Sequence, residues 1–237
     1  MLGLKWGRTM FFKSDYNDLL PPEPESDELS VQKRGLPLLL DLLGRHCGAL
    51  LKANLLFLLG CVPVLTIPLS FYALNRTVRR MVLDQPVNCL QSYREVFRHE
   101  WKRGYAAFLL TVLPMGCAGY GMWFYLRQTA SSLLLYLPFL VCSTAFLAAF
   151  LSSECLYGLL NSGKSLKESA QLAILLGIGK PVRAIPAALC YYGLPLFAVL
   201  CFPLSGLYLL VIGFSLPCFL GNFLLRDLLQ PYQAENP

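Results

Sequence analysis

The sequence predicts an all-α, polytopic membrane protein with five to six transmembrane helices and basic amphipathic helices on the cytoplasmic side. Of the 237 residues, 56% are hydrophobic and only 14% are charged, whereas about a quarter of a soluble domain is charged. Most apolar residues fall in runs of about 20, the helix length that crosses ~30 Å of hydrocarbon. Lys and Arg gather between alternate runs, as the positive-inside rule describes.

The apolar runs divide the chain into one membrane domain and two tails. We predict a polar N-terminal tail and linker at 1–35, a single helical membrane domain at 36–226 and a short C-terminal tail at 227–237. Residues 20–30 are Pro-rich and acidic, which is typical of a solvated linker. The start of the chain lacks the apolar stretch of a signal peptide. The runs lie at 53–72, 105–126, 133–153, 184–202 and 204–225.

Charge sets the predicted orientation. The segment 75–104 carries seven Lys and Arg residues, and 161–183 carries four, so both loops are predicted to be cytoplasmic. The connections on the other side are nearly uncharged, with Arg127 in one of them. The last run ends at Arg226, which places the C-terminus in the cytoplasm.

The first run leaves two topologies open. A single helix at 53–72 would put the N-terminus outside, together with seven Lys and Arg residues. Pro63 and Pro68 disfavour helix at the residues before them, so we favour a hairpin in which 38–61 leaves the cytoplasm and 67–82 returns. That gives six crossings with both termini cytoplasmic. The alternative is five crossings, with one helix kinked at the two prolines, because the second arm is short for a full span.

Two connectors between the runs predict interfacial helices. Asn88 is a candidate N-cap. After it, one apolar residue and three aromatic residues recur at spacings of three and four, which is typical of an interfacial helix: Leu90, Tyr93, Phe97 and Trp101. The second connector starts with Ser165 and Glu168 at capping-box spacing. Such helices either float at the headgroup level or dock a partner. The candidate partner surface consists of Tyr93, Arg94, Phe97, Arg98, Trp101 and Arg103.

Polar residues within apolar runs are costly in lipid and are functional candidates. Lys52, Asn54 and Glu154 are the three that we single out. Lys52 can extend its ammonium group to the interface. Glu154 either pairs with Arg76 or Arg79 or faces the headgroups.

Enzymatic, metal and nucleotide sites are not predicted. The nine cysteines form no C-x-x-C pair and there are two histidines, so neither a metal site nor a cofactor is expected. The runs contain no paired carboxylates or Ser–His pair, so no catalytic residue is assigned and the protein is predicted not to be an enzyme. Residues 158–165 match G-x-x-x-x-G-K-S, but a phosphate-binding loop follows a β-strand, and this one follows an apolar run. The basic residues flank apolar runs, so nucleic acid is not an expected partner.

The segment 54–67 reads Asn-Leu-Leu-Phe-Leu-Leu-Gly-Cys-Val-Pro-Val-Leu-Thr-Ile and is followed by Tyr72-Ala-Leu. With the aromatic spacing before Tyr105, it resembles the bacterial YesL-like family of small integral membrane proteins (domain of unknown function 624), in a branch with a longer N-terminal tail. The chain departs from the family pattern at Pro68, where a small residue is more usual. Members often occur beside sugar-uptake and polysaccharide-degradation systems.

The resemblance implies a protein of the bacterial cell membrane that is an accessory or assembly subunit of a carbohydrate ABC importer. Its expected partners are the lipid bilayer and sugar ABC permease subunits. The alternative is an autonomous sugar transporter. A homo-oligomer is also open, because Gly116, Gly119 and Gly121 permit close helix contact, within the chain or between chains.

Overall fold

The structure is a computed structural model that describes residues 35–128, 135–160 and 165–233. The predicted N-terminal tail and linker, residues 1–35, therefore lie outside the described residues, apart from Gly35. Contacts divide the chain into two units, Met1–Leu38 and Leu39–Pro237, and the architecture below is that of the second. The described residues contain helices and turns but no strand: α1 (Leu36–Cys61), α2 (Ile67–Val82), α3 (Cys89–His99), α4 (Trp101–Gln128), α5 (Tyr136–Leu160), α6 (Leu166–Gly179), α7 (Pro181–Ala188), α8 (Leu194–Leu200), α9 (Gly206–Val211), α10 (Ser215–Leu224) and α11 (Arg226–Gln233).

Among the described residues, four helices are long and apolar enough to cross a membrane: α1, α4, α5 and the continuous helix Pro181–Leu200, in which a π-helical turn joins α7 to α8. The prediction of a helical protein with membrane-length apolar helices is confirmed. The number of crossings stays a prediction, since α2 has 16 residues and is not among the four.

The proline segment ends one helix and starts another. Pro63 is extended, with φ −81° and ψ 118°, and a 3₁₀ turn at Val64–Thr66 leads into α2. The Thr66 hydroxyl closes the turn by donating to the carbonyl oxygen of Gly60 at 2.6 Å. Pro68 lies in the first turn of α2, where its missing N–H costs nothing. The chain therefore turns here and does not continue as one kinked helix.

The two helices joined by this turn form an antiparallel hairpin. Next to the turn, a Cβ on Gly60 would lie 2.2 Å from Ser70 Oγ. At the far end, Asp84 accepts from Arg45 at 3.0 Å and contacts the His46 ring at 3.2 Å. The 38–61 and 67–82 arms of the favoured interpretation match α1 and α2 to within two residues.

Helix α3 packs along this hairpin. The Tyr93 hydroxyl donates to the Ala53 carbonyl oxygen at 3.1 Å, and the Cys89 thiol donates to Ala49 at 3.4 Å. Leu90, expected on the apolar face, is 65% exposed. The face of α3 that packs against α1 and α2 is therefore not the predicted one. Small side chains on it allow α3 to approach α1 and α2 closely, and its buried residues are Cys89, Ser92, Tyr93 and Val96.

Helices α4 and α6 each pack against α5. A Cβ on Gly121 would lie 2.7 Å from Cys142 Sγ, and one on Gly119 would touch Phe146. These two glycines of α4 therefore pack against α5 within the chain. Helix α6 returns along α5, with Gly177 so close that a Cβ would lie 3.0 Å from the backbone of Ser152.

The end of the chain departs from a simple spanning helix. The apolar run 204–225 is broken, since α9 ends at Val211 and α10 begins at Ser215. Residues 226–233, which fall almost entirely within the predicted C-terminal tail, form α11. Leu229 of α11 is fully buried. It packs so closely on Gly158 of α5 that a Cβ added to this glycine would lie 2.3 Å from the Leu229 side chain.

Candidate functional site

The candidate partner surface predicted from the sequence lies on α3 and at the start of α4. Its six residues differ in how exposed the structure leaves them. Arg94 and Arg98 are exposed, Trp101 is 46% exposed, and Phe97 and Arg103 are half-buried. Tyr93 is 5% exposed, and burial raises its pKa well above the usual value of a phenol. Tyr93 therefore anchors α3 and does not face a partner. We define the α3 outer face as Leu90, Arg94 and Arg98 of α3 together with Trp101, the first residue of α4.

Ion pairs on the inner side leave this face positive. Arg76 of α2 contacts the Glu95 carboxylate at 3.1 Å and that of Glu100 at 2.6 Å. Glu100 also accepts from the Tyr72 hydroxyl at 3.0 Å. Because both carboxylates are bound by Arg76, they neutralise Arg94 and Arg98 less than their proximity in sequence suggests.

A shallow depression opens on the same side of α3. Its volume is about 190 Å³, and it is lined by Gln91, Arg94, Glu95, Arg98 and His99. The depression holds two guanidinium groups and one carboxylate, that of Glu95, which Arg76 also contacts. This excess of positive charge favours a carboxylate from a partner over an apolar group. The helix that presents them is fixed at its start by Asn88, whose side chain accepts from the Gln91 amide at 3.4 Å, so the predicted N-cap is confirmed.

The three intramembrane polar candidates have separate environments. Lys52 is exposed. Asn54 is fully buried and bonds to both sides of the break between α9 and α10. Glu154 is 3% exposed, and the described residues offer its Oε1 no hydrogen-bond partner. No ion pair joins Glu154 to Arg76 or Arg79 within the described ranges, and its burial keeps it from the headgroups.

A buried polar cluster near Glu154 was missed by the sequence reasoning. Asn75 donates to the Tyr191 hydroxyl, and Ser153 and Tyr192 share a hydrogen bond of 2.8 Å. Arg79, 1% exposed, donates to the carbonyl oxygen of Asn222 at 3.1 Å. No local pattern indicates this cluster, because its bonds join residues 39 to 143 positions apart.

A larger groove of about 350 Å³ lies between α4, α5 and α6. Three hydroxyls line it, but each already donates to a carbonyl of its own helix: Thr111 to Ala107, Ser152 to Ala148 and Ser153 to Phe150. The other lining residues are apolar. Over the described part of the chain, no three His, Cys, Asp or Glu side chains are placed to hold a metal ion.

Comparison with known proteins links the hairpin and α3 to one family. Residues 50–121 match the family described as "Protein of unknown function, DUF624". Curated proteins and solved structures gave no match. The matched range runs from within α1 to within α4 and so includes Asn54, Gly60 and the α3 outer face. This match over residues 50–121 confirms the resemblance to that family seen at 54–67.

Proposed function

We propose that the protein is a non-enzymatic accessory or assembly subunit of the bacterial cell membrane that docks a partner protein on the α3 outer face. The partner proposed from the family resemblance is a permease subunit of a carbohydrate ABC importer. In this proposal α3 is cytoplasmic, as are both termini. The observation that carries the proposal is the two-sided character of α3, whose inner side is held by Tyr93 and Arg76 while its outer side presents two arginines.

The composition of the face supports a protein partner. Arg and aromatic residues are enriched at the centres of protein interfaces, and here Arg94 and Arg98 lie between Leu90 and Trp101. Because the helix is fixed along one side, its backbone needs no ordering on binding, and only the exposed side chains lose rotamer freedom. The complementary surface is an acidic helix or loop with an apolar contact for Leu90.

Reversal of the surface charge tests the proposal. The tagged protein is purified in mild detergent at native expression level, and bound permease subunits are quantified by mass spectrometry. The double variant Arg94→Glu and Arg98→Glu is expected to capture at least about tenfold less permease, because like charges across an interface cost several kcal/mol. Arg103 is left intact, since it is half-buried and within electrostatic range of Tyr72.

The matched control is Lys180→Glu with Arg183→Glu, which makes the same charge change at two exposed residues outside α3. Permease capture equal to that of the unaltered protein is expected for this control. Equal capture by both double variants would reject the α3 outer face. If the unaltered protein captures no permease, the importer assignment is rejected.

The alternative, an autonomous sugar transporter, makes a different prediction. Vesicles containing only this protein would then take up labelled sugar. We place it second because the larger groove is lined by apolar side chains apart from three hydroxyls, each of which already donates within its own helix, whereas a sugar needs several polar partners.

A further inference from the structure

The groove between α4, α5 and α6 has the dimensions of a site for a hydrocarbon chain. Its lining residues on α5 run from Ala145 to Leu156, a length of about 16 Å at 1.5 Å per residue. Two of its three walls, α4 and α5, are membrane-length helices. These two helices also carry exposed apolar side chains, among them Leu109, Leu113 and Leu147, as helices that face lipid do.

The chemistry of the lining excludes a strongly polar occupant. The lining includes Ala145, Ala148 and Ala149 of α5 and Ala170 and Ala173 of α6, so small side chains create the space. The three hydroxyls donate within the protein, and the oxygens of Thr111 and Ser153 also share hydrogen bonds with the hydroxyls of Tyr157 and Tyr192. Little hydrogen-bonding capacity is left for an occupant, so a strongly polar one would lose its water without replacing most of those bonds, which is costly.

Basic residues stand at one end of the groove. On α6, Lys167 precedes the lining residues Ala170 and Ile174 by three and seven positions, so the three share a helix face. On α4, Arg103 precedes Leu110 by seven positions and shares its face. Both basic residues lie toward the end of α5 at Leu160, because α5 is antiparallel to α4 and to α6. Lys167 is exposed and forms no ion pair in the described ranges.

We propose that this groove binds one acyl chain of an anionic phospholipid, whose phosphate lies at Lys167 with Arg103 on the opposite wall. An apolar channel that ends at cations is complementary to a lipid with a negative headgroup, since a basic residue near a membrane surface attracts anionic lipid. The site is separate from the α3 outer face and does not depend on the function proposed above.

Lipid retention tests the proposal. The full chain is reconstituted in nanodiscs of equal parts phosphatidylglycerol and phosphatidylcholine, extracted in mild detergent, and its retained lipids are counted by native mass spectrometry. The unaltered protein is expected to retain phosphatidylglycerol in preference. Lys167→Glu should lower that preference by about fivefold or more, whereas Lys180→Glu, at the other end of α6, should leave it unchanged.

Filling the groove provides a second measurement. Ala149→Phe places a ring in the channel and is expected to reduce retained lipid of both kinds. Leu147→Phe puts the same ring on the exposed side of α5 and should retain lipid as the unaltered protein does. Equal retention by these two variants, or equal preference in Lys167→Glu and Lys180→Glu, would overturn the proposal. The lysine variants are at exposed positions, so their comparison holds even if Ala149→Phe fails to fold.

Discussion

The side-chain nitrogen of Asn54 lies 2.8 Å from the carbonyl oxygen of Leu210, across 156 positions of the chain. The same nitrogen donates to Leu209 at 3.0 Å, and the side-chain oxygen accepts from the amides of Phe214 and Ser215 at 3.0 and 3.2 Å. One amide group thus bonds the backbone on both sides of the break between α9 and α10. This explains how an apolar run can be interrupted without leaving its backbone groups unsatisfied.

Substitution of Asn54 tests its role at the break. Asn54→Ala removes four hydrogen bonds and leaves buried backbone groups unpaired, so we expect the free energy of unfolding to fall by at least about 2 kcal/mol. The measurement is denaturant-induced unfolding of the purified protein in detergent micelles. Lys52→Ala, at an exposed position on the same helix, should change it by less than about 0.5 kcal/mol. Equal effects of the two variants would contradict the role assigned to Asn54.

The close approach of α1 and α2 at Gly60 gives a second prediction. Gly60→Ala would place its Cβ 2.2 Å from Ser70 Oγ and 3.2 Å from Ser70 Cβ. Rotation of the Ser70 hydroxyl relieves only the first contact, so we expect a loss of about 1–3 kcal/mol. Adding Ser70→Gly removes the clashing atoms and should recover much of that loss. Gly44→Ala meets no atom within 4 Å and should be neutral or stabilising by about 0.5–1 kcal/mol. Thermal unfolding of the four proteins measures these differences, and a stable Gly60→Ala variant would refute the contact.

A variant at Tyr93 distinguishes a role in helix packing from a role in partner binding. Tyr93→Phe removes the hydrogen bond to Ala53 and should lower stability by about 1 kcal/mol. Permease capture by the folded protein should not change, because this hydroxyl faces α1. A loss of capture with unchanged stability would return Tyr93 to the partner surface.

The capping box at the start of α6 gives a fourth prediction. Ser165 accepts from the Glu168 amide at 3.3 Å, and Glu168 accepts from the Ser165 amide at 3.2 Å. Ser165→Ala should cost about 1 kcal/mol in unfolding free energy. Glu168→Gln keeps an acceptor at that position and should cost less. The reverse order of the two losses would contradict the capping role.

Glu154 gives a fifth prediction, of opposite sign. Glu154→Leu replaces a buried carboxyl group whose Oε1 has no partner in the described residues, and we expect the free energy of unfolding to rise by about 1 kcal/mol or more. Glu95→Leu removes a carboxylate that Arg76 contacts and should lower it instead. Denaturant titration of both variants provides the comparison. A large loss of stability in Glu154→Leu would show that the carboxyl group is bonded after all.

Features set by short-range chemistry could be predicted from the sequence. Prolines fix or remove backbone options for their immediate neighbours, so the turn after Cys61 was within reach of the sequence. The caps at Asn88 and Ser165 were predicted for the same reason, since each depends on a residue three positions away. The long apolar helices followed from run length.

Features set by distant contacts could not be predicted. The inner side of α3 was misplaced because it depends on which small residues meet α1, and spacing favoured the larger Leu90. The break after Val211 lies inside an apolar run, and the side chain of Asn54, far away in the sequence, bonds the backbone on both sides of it. Of the residues predicted for the candidate surface, Arg94 and Arg98 are exposed, whereas Tyr93 points inward and donates to a carbonyl 40 positions earlier. The partner surface itself stays a prediction.

The hydrogen bonds of the Asn54 side chain can form only late in the synthesis of the chain. The hairpin of α1 and α2 is complete once Asp84 has been made, but the backbone groups that Asn54 binds begin at Leu209, after almost the whole membrane domain has emerged from the ribosome. Until then a buried amide within a membrane-length helix must find temporary partners in water, in the insertion machinery or in another helix. A chain that stops before Leu209 never supplies the permanent ones, so truncated products are expected to be recognised by quality-control proteases.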